Sequence, residues 1–144
     1  MPFRPITPED LPRLARAYSA AFALPPYEEQ WGRQDAEDHL RAFWEEHPQT
    51  CWSIYTRHPL LPVGGALGRQ ETPSRLILAE CFIEPTEHAA LGTSFVDELF
   101  REQRAAGARS FELILERHGP PWAFLRGIGF RTSTHLRMLW RTQA

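Results

Sequence analysis

The sequence predicts a single-domain α/β fold, in which two helices lead into an antiparallel meander and a strand-helix-strand unit follows. Three observations lead there. Two early stretches repeat apolar residues at helical spacing, and three later runs are apolar and β-prone with only short turn-formers between them. The 144 residues, taken as one unit from 1 to 144, are enough to bury one core without staples or metal.

The chain opens with the extended Phe3-Arg4-Pro5-Ile6. Thr7-Pro8-Glu9-Asp10 then places a capping hydroxyl, a first-turn proline and an acid three residues after the cap, so a helix is expected to begin there. Leu11, Leu14, Ala15, Tyr18 and Phe22 give it one buried stripe, and Pro25-Pro26 ends it. After the loop Tyr27-Glu28-Glu29-Gln30-Trp31-Gly32, the residues Ala36, Leu40, Phe43 and Trp44 mark a second helix, closed by His47-Pro48.

Cys51 to Thr56, Val63 to Arg69 and Leu76 to Ile83 read as strands, separated by His58-Pro59 and Thr72-Pro73-Ser74. Connections this short favour antiparallel pairing. From Gly92 the spacing of Phe95, Val96, Leu99 and Phe100 is helical again, ending at Gly107. Phe111 to Leu115 is the next strand, Pro120-Pro121 opens a short helix through Ile128, and Phe130 with Leu136 to Trp140 supplies the last strands. There are no repeats and no linker.

Composition narrows the chemistry. A net charge of −2 offers no basic excess for nucleic acid, and every positive side chain is arginine, which excludes Schiff-base lysine chemistry and a P-loop lysine. No apolar run approaches a membrane span and no signal layout is present, so a cytoplasmic protein is expected. The cysteines Cys51 and Cys81 lie in strand-like runs as small hydrophobes, and the six histidines show no metal-ligand spacing. Gly64-Gly65-Ala66-Leu67-Gly68 lies within a strand, where it reads as a close approach to a neighbour or ligand instead of a phosphate loop.

Two features suggest a site. A buried strand, a short turn and a helix starting near Gly92 place free amides where an anion is favoured. Glu80 is an acid within the apolar run Leu76 to Ile83, and an unpartnered buried carboxylate is costly. It is either a base for deprotonating an amine or a structural partner for an arginine such as Arg69 on the neighbouring strand. Tyr27, Glu29 and Trp31 would hold a cationic amine by charge and cation–π contact, or else the aromatics close the core while the acids, Glu28 among them, are solvated.

FRPITPEDLPRLARAYSAAF at the start, PPYEEQW after the first helix, AECFIEP in the third strand of the meander and RHGPPWAFLRGIGF near the end are similar, over essentially the whole chain, to the GNAT N-acetyltransferase superfamily. The resemblance implies a mixed, mostly antiparallel sheet of six to seven strands with helices on both faces. It implies acetyl-CoA as co-substrate, no metal, and direct transfer to a small primary amine, with Glu80 as the base acting through water. The pantetheine arm would run beside Phe82 and Ile83, and the pyrophosphate would sit on the amides of His88, Ala89, Ala90, Leu91, Gly92 and Thr93.

The loop departs from the family's Q/R-x-x-G-x-G/A: the matching stretch is Glu87 to Gly92, with the last glycine kept and His88 in reach of the basic position. His118 stands for the family's asparagine. Leu125 occupies the position where the family often has the tyrosine that protonates the leaving thiolate, leaving Cys81, Tyr55, water or a helix dipole to replace it. The rival reading is a GNAT fold that no longer catalyses, binding acyl-CoA or another protein. Aromatics near Trp140, on a C-terminal strand expected to be unpaired, offer a surface for a homodimer.

Overall fold

The computed structural model describes residues 3–24, 27–55, 61–87, 94–114, 131–134 and 137–141. Strand β1 (Phe3–Pro5) precedes helices α1 (Leu11–Phe22) and α2 (Arg33–Glu46), and the meander β2 (Cys51–Tyr55), β3 (Pro62–Thr72) and β4 (Arg75–Ile83) follows. Helix α3 (Ser94–Ala105) leads to β5 (Ser110–Ile114), β6 (Arg131–Thr134) and β7 (Arg137–Arg141). One sheet joins them in the order β1-β2-β3-β4-β5-β7-β6. Among the described residues every pair is antiparallel except β4 with β5, which α3 connects as a crossover. The order makes β6 the edge and puts β7, with Trp140, between β5 and β6, so the C-terminal strand is paired on both sides, contrary to the sequence expectation.

The first helix does not start as an α-helix at Pro8. Pro8–Asp10 form a 3₁₀ turn, and Leu11 N–H bonds the Pro8 carbonyl three residues back. Pro12 has no N–H to give that carbonyl an α-type bond, so the first turn is tight and α1 begins at Leu11. At the far end of the crossover, Gly107 takes a φ of +110°, and Ala108 N–H bonds the Gln103 carbonyl at 2.9 Å, the terminal loop that a glycine beyond a helix permits. Arg109 and Ser110 then donate their N–H groups to the Ser74 carbonyl, fixing the start of β5 to the β3–β4 turn.

The expected stripe of α1 is the core. Leu11, Leu14, Ala15 and Tyr18 are buried with Ala36 and Leu40 of α2 against Cys51, Leu67 and Phe82 of the sheet, while Phe22, Trp31, Phe43 and Trp44 pack around the rim. Both cysteines are free. The glycines of β3 are explained by their neighbours: a Cβ on Gly64 would meet the Phe82 carbonyl oxygen at 2.5 Å, and one on Gly65 the Phe82 ring at 2.9 Å. Gly64→Ala therefore has to push β4 away at Phe82 and Ile83. A loss of about 1–3 kcal/mol in urea unfolding is expected, the usual cost of overpacking.

One irregularity positions the site. Leu67 pairs with Glu80 but Gly68 pairs with Leu78, so Ala79 is an extra residue on β4, a β-bulge. Cross-strand partners share a face, so the bulge changes the phase of β4. Leu78 lies on the face of Gly68, whereas Glu80 and Phe82 lie on the face of Leu67, toward α1 and α2. Without it, Leu76, Leu78, Glu80 and Phe82 would alternate onto one face.

Candidate active site

Past the bulge the two neighbours of β4 differ in what is described. Among the described residues, rungs between β4 and β5 run from Arg75↔Ser110 to Leu78↔Leu113, with β5 described as far as Ile114, while Glu80 to Ile83 are paired with β3. Beyond Leu78, then, one edge of β4 carries no β5 rung among the described residues. A polar backbone edge of this kind suits an extended ligand that can hydrogen-bond like a strand.

Glu80 follows the bulge directly, and both its oxygens are held. Tyr18 Oη of α1 donates to Oε1 at 2.5 Å, and His39 Nε2 of α2 meets Oε2 at 2.6 Å. Its side chain is 22 % exposed and that of His39 is 36 %, so both remain partly open to solvent, the imidazole more so. Arg69, the partner offered by the alternative reading, instead approaches Glu71 at 4.0 Å. The carboxylate therefore has a phenol and an imidazole for partners.

These contacts set the protonation of the partners. The hydrogen bond to Glu80 raises the His39 pKa, against desolvation, and the charges of Glu80 and Glu29 act in the same direction. Desolvation first, then the hydrogen bond to Glu80, raises the Tyr18 phenol, which stays protonated as a donor.

The loop between α1 and α2 folds over this group. Glu29 N–H bonds the Phe22 carbonyl at 2.8 Å, with Glu28 in a left-handed conformation at φ 49°, and this turns the loop back on α1. Trp31 lies edge-on to Tyr18 with ring centroids 5.1 Å apart and 5.3 Å from His39, while its indole N–H donates to Glu29 Oε1 at 2.8 Å. Tyr27 packs on Phe22, and Phe22 and Phe82 each pack on Tyr18. Trp31 and Glu29 are thus brought beside Tyr18 and His39, with Trp31 also closing the core rim, while Tyr27 is joined to them through Phe22.

Of the other residues singled out, Phe82 and Ile83 lie at the end of β4, paired with Gly65 and Gly64 of β3 and with no β5 rung among the described residues. His88, Ala89, Ala90, Leu91, Gly92 and Thr93, with His118 and Leu125, lie outside the described residues. Tyr55 is not available as an acid here. Its hydroxyl donates to Asp10, and it is four residues along β2 from Cys51, which shares a row with Leu67 and Glu80, a separation of about 13 Å. Cys81 follows Glu80 directly and so points to the opposite face, with its thiol pushed up to about 12 by desolvation.

Tyr18 and His39 were missed as site residues. Tyr18 is on the apolar stripe and was read as core, which it also is. His39 falls three residues after Ala36 and four before Phe43, so the helical period already put a titratable ring at the edge of the buried face.

No protein-family model matches this sequence, and no curated protein is similar to it in sequence. Solved structures do match. Ard1 from Thermoplasma volcanium superposes with a TM-score of 0.73 at 13% identity, covering 99% of this chain and 98% of that one. A GNAT family acetyltransferase from Brucella melitensis in complex with acetyl-CoA gives 0.70 at 18%, covering 99% and 88%. An aminoglycoside 6'-acetyltransferase of type Ii gives 0.70 at 14%, covering 98% and 97%.

Proposed function

The fold is the one shared by the GNAT acetyltransferases, and from that premise we propose that the chain is an acetyl-CoA-dependent N-acetyltransferase acting on a small primary amine. The observation that carries the reading is the conjunction at the Ala79 bulge: there β4 turns a carboxylate toward α1 and α2, held by Tyr18 and His39, just past the last β4–β5 rung among the described residues. Acyl transfer needs both parts.

The edge of β4 at Phe82 and Ile83, which has no β5 rung among the described residues, fits the amide-bearing pantetheine arm. The pyrophosphate would extend toward the amides of His88 to Thr93. When bound, acetyl-CoA supplies an activated acyl group, and everything else falls to the protein.

On the acceptor side, Trp31, Tyr27 and Glu29 of the loop would hold a cationic amine near Glu80, by ring quadrupole and by charge, a role supported by the packing of Trp31 on Tyr18 and His39. An ammonium held there must lose a proton before it can attack a thioester. Glu80 is the carboxylate that drives that loss, in a site partly screened from water by the Tyr18 and Trp31 rings.

The test is calorimetric titration with acetyl-CoA and free coenzyme A at moderate salt, followed by a screen of primary amines for release of free thiol. Micromolar binding and turnover with an amine are expected. No heat at millimolar ligand would overturn the reading and leave a fold that has lost its co-substrate.

A further inference from the structure

Glu80 is not the only base that this group of side chains offers. Both Glu80 oxygens already accept a hydrogen bond, one from a phenol that desolvation keeps protonated. Its partner His39 is the other base in reach. Its Nε2 faces Glu80, and a carboxylate only accepts, so Nε2 is the nitrogen that bears hydrogen. In the neutral ring this leaves Nδ1 as a bare lone pair, with no hydrogen-bond partner among the described residues.

Resting on the transferase reading above, we propose that His39 Nδ1 is the atom that takes the acceptor's proton, and that Glu80 is a positioning residue. Glu80 fixes the tautomer and stabilises the imidazolium as it forms. The arrangement parallels the carboxylate-imidazole pair of serine proteases, in which the buried acid orients the ring without itself being protonated.

The geometry of the ring supports this. His39 is the more exposed member of the pair, and Trp31 of the acceptor loop lies 5.3 Å from it, ring centroid to ring centroid. An amine seated against Trp31 would have the imidazole within reach. The titratable groups around the ring are Glu80 from β4, Tyr18 from α1 and Glu29 from the loop, with Asp35 one turn earlier on α2. Glu80 and Glu29 favour the charged ring, and so favour a base strong enough for an ammonium.

The step balances as follows. One ammonium proton passes to Nδ1, directly or through a water, and the freed nitrogen lone pair forms the C–N bond at the thioester carbonyl carbon. The C–S bond breaks and its electron pair leaves on sulfur. The second proton of the nitrogen ends on the thiolate, and the imidazolium releases its own to solvent.

The experiment is ¹⁵N NMR titration of the histidine rings in the full chain, with His39 assigned by its loss in His39→Gln, in wild type and Glu80→Gln. Expected is a neutral ring with hydrogen on Nε2 and a midpoint above the ordinary value of about 6.5, falling by about one unit or more in Glu80→Gln. His39→Gln should bind acetyl-CoA as wild type does but lose about 100-fold or more in kcat/KM with the amine found in the screen. A ring with hydrogen on Nδ1, a midpoint unmoved by Glu80→Gln, or a His39→Gln enzyme of wild-type turnover each overturns the proposal, the last in favour of Glu80 acting through water. Failure of wild type to bind the thioester overturns the transferase reading and with it this role, and is told apart because the titration then still shows the paired ring.

Discussion

Replacing Asp10 by alanine is expected to cost about 3–5 kcal/mol of stability, a large part of what a domain of this size has. Asp10 is 4% exposed, and its carboxylate accepts from the Tyr55 hydroxyl, from Ser53 Oγ at 2.9 Å and from Thr7 N–H at 3.1 Å, with Arg4 at 3.5 Å. Arg4 also covers the Tyr55 ring and donates to its hydroxyl at 2.7 Å. The acid thus ties the start of α1 to β1 and β2. Removing it strands two buried donors, Tyr55 Oη and Ser53 Oγ, each costing about 1–3 kcal/mol, and the half-buried Thr7 N–H. Urea unfolding measures the loss, and adding Tyr55→Phe and Ser53→Ala to the alanine variant should return part of it by removing two of those donors.

The same network sets an acid limb. Desolvation opposes the Asp10 charge, but the Tyr55, Thr7 and Ser53 hydrogen bonds and the Arg4 charge outweigh it, so the folded-state pKa is depressed below 3.8. A depressed carboxylate contributes its stability above the unfolded value and loses it as the pH falls through the folded one. Between neutral pH and pH 3, Asp10→Ala should therefore lose less stability than wild type. An equal loss in both proteins would show that other carboxylates set the acid limb.

The architecture was legible because it rests on periodicity. The stripes of α1 and α2, the meander and the Gly107 cap each follow from a local pattern, and Glu80 stood out as a charge in an apolar run. What the pattern hid was long-range. Asp10 read as a cap acid, which it is toward Thr7, but its partners Ser53 and Tyr55 lie 43 and 45 residues away. Arg69 was the obvious cation for Glu80 in a regular β3–β4 ladder. The bulge at Ala79 displaces that register, and Ala79 has no feature of composition that announces it. Once β4 changes phase, the nearest partners of Glu80 come from the helices, and the site is a property of three elements instead of one strand.

Glu80→Gln is expected to lower kcat/KM by about 10²- to 10⁴-fold, the usual range for loss of a base or of the acid that orients one. Glutamine keeps the size of the side chain and still offers an oxygen to Tyr18, so the packing of Tyr18 against Phe22, Trp31 and Phe82 is retained. What disappears is the negative charge beside His39. Without it the imidazolium is no longer stabilised, and the amide nitrogen can face Nε2 only if the ring changes its tautomer. Affinity for acetyl-CoA should stay within a few-fold of wild type, because the thioester is expected on the backbone edge at Phe82 and Ile83, which the substitution leaves alone. Chemistry and binding therefore separate in one variant: calorimetry with acetyl-CoA reads the edge, and kcat/KM with the amine reads the carboxylate. Undiminished turnover would show that Glu80 is only a structural partner of Tyr18 and His39, whereas parallel loss of binding and turnover would mean that the bulge itself had moved.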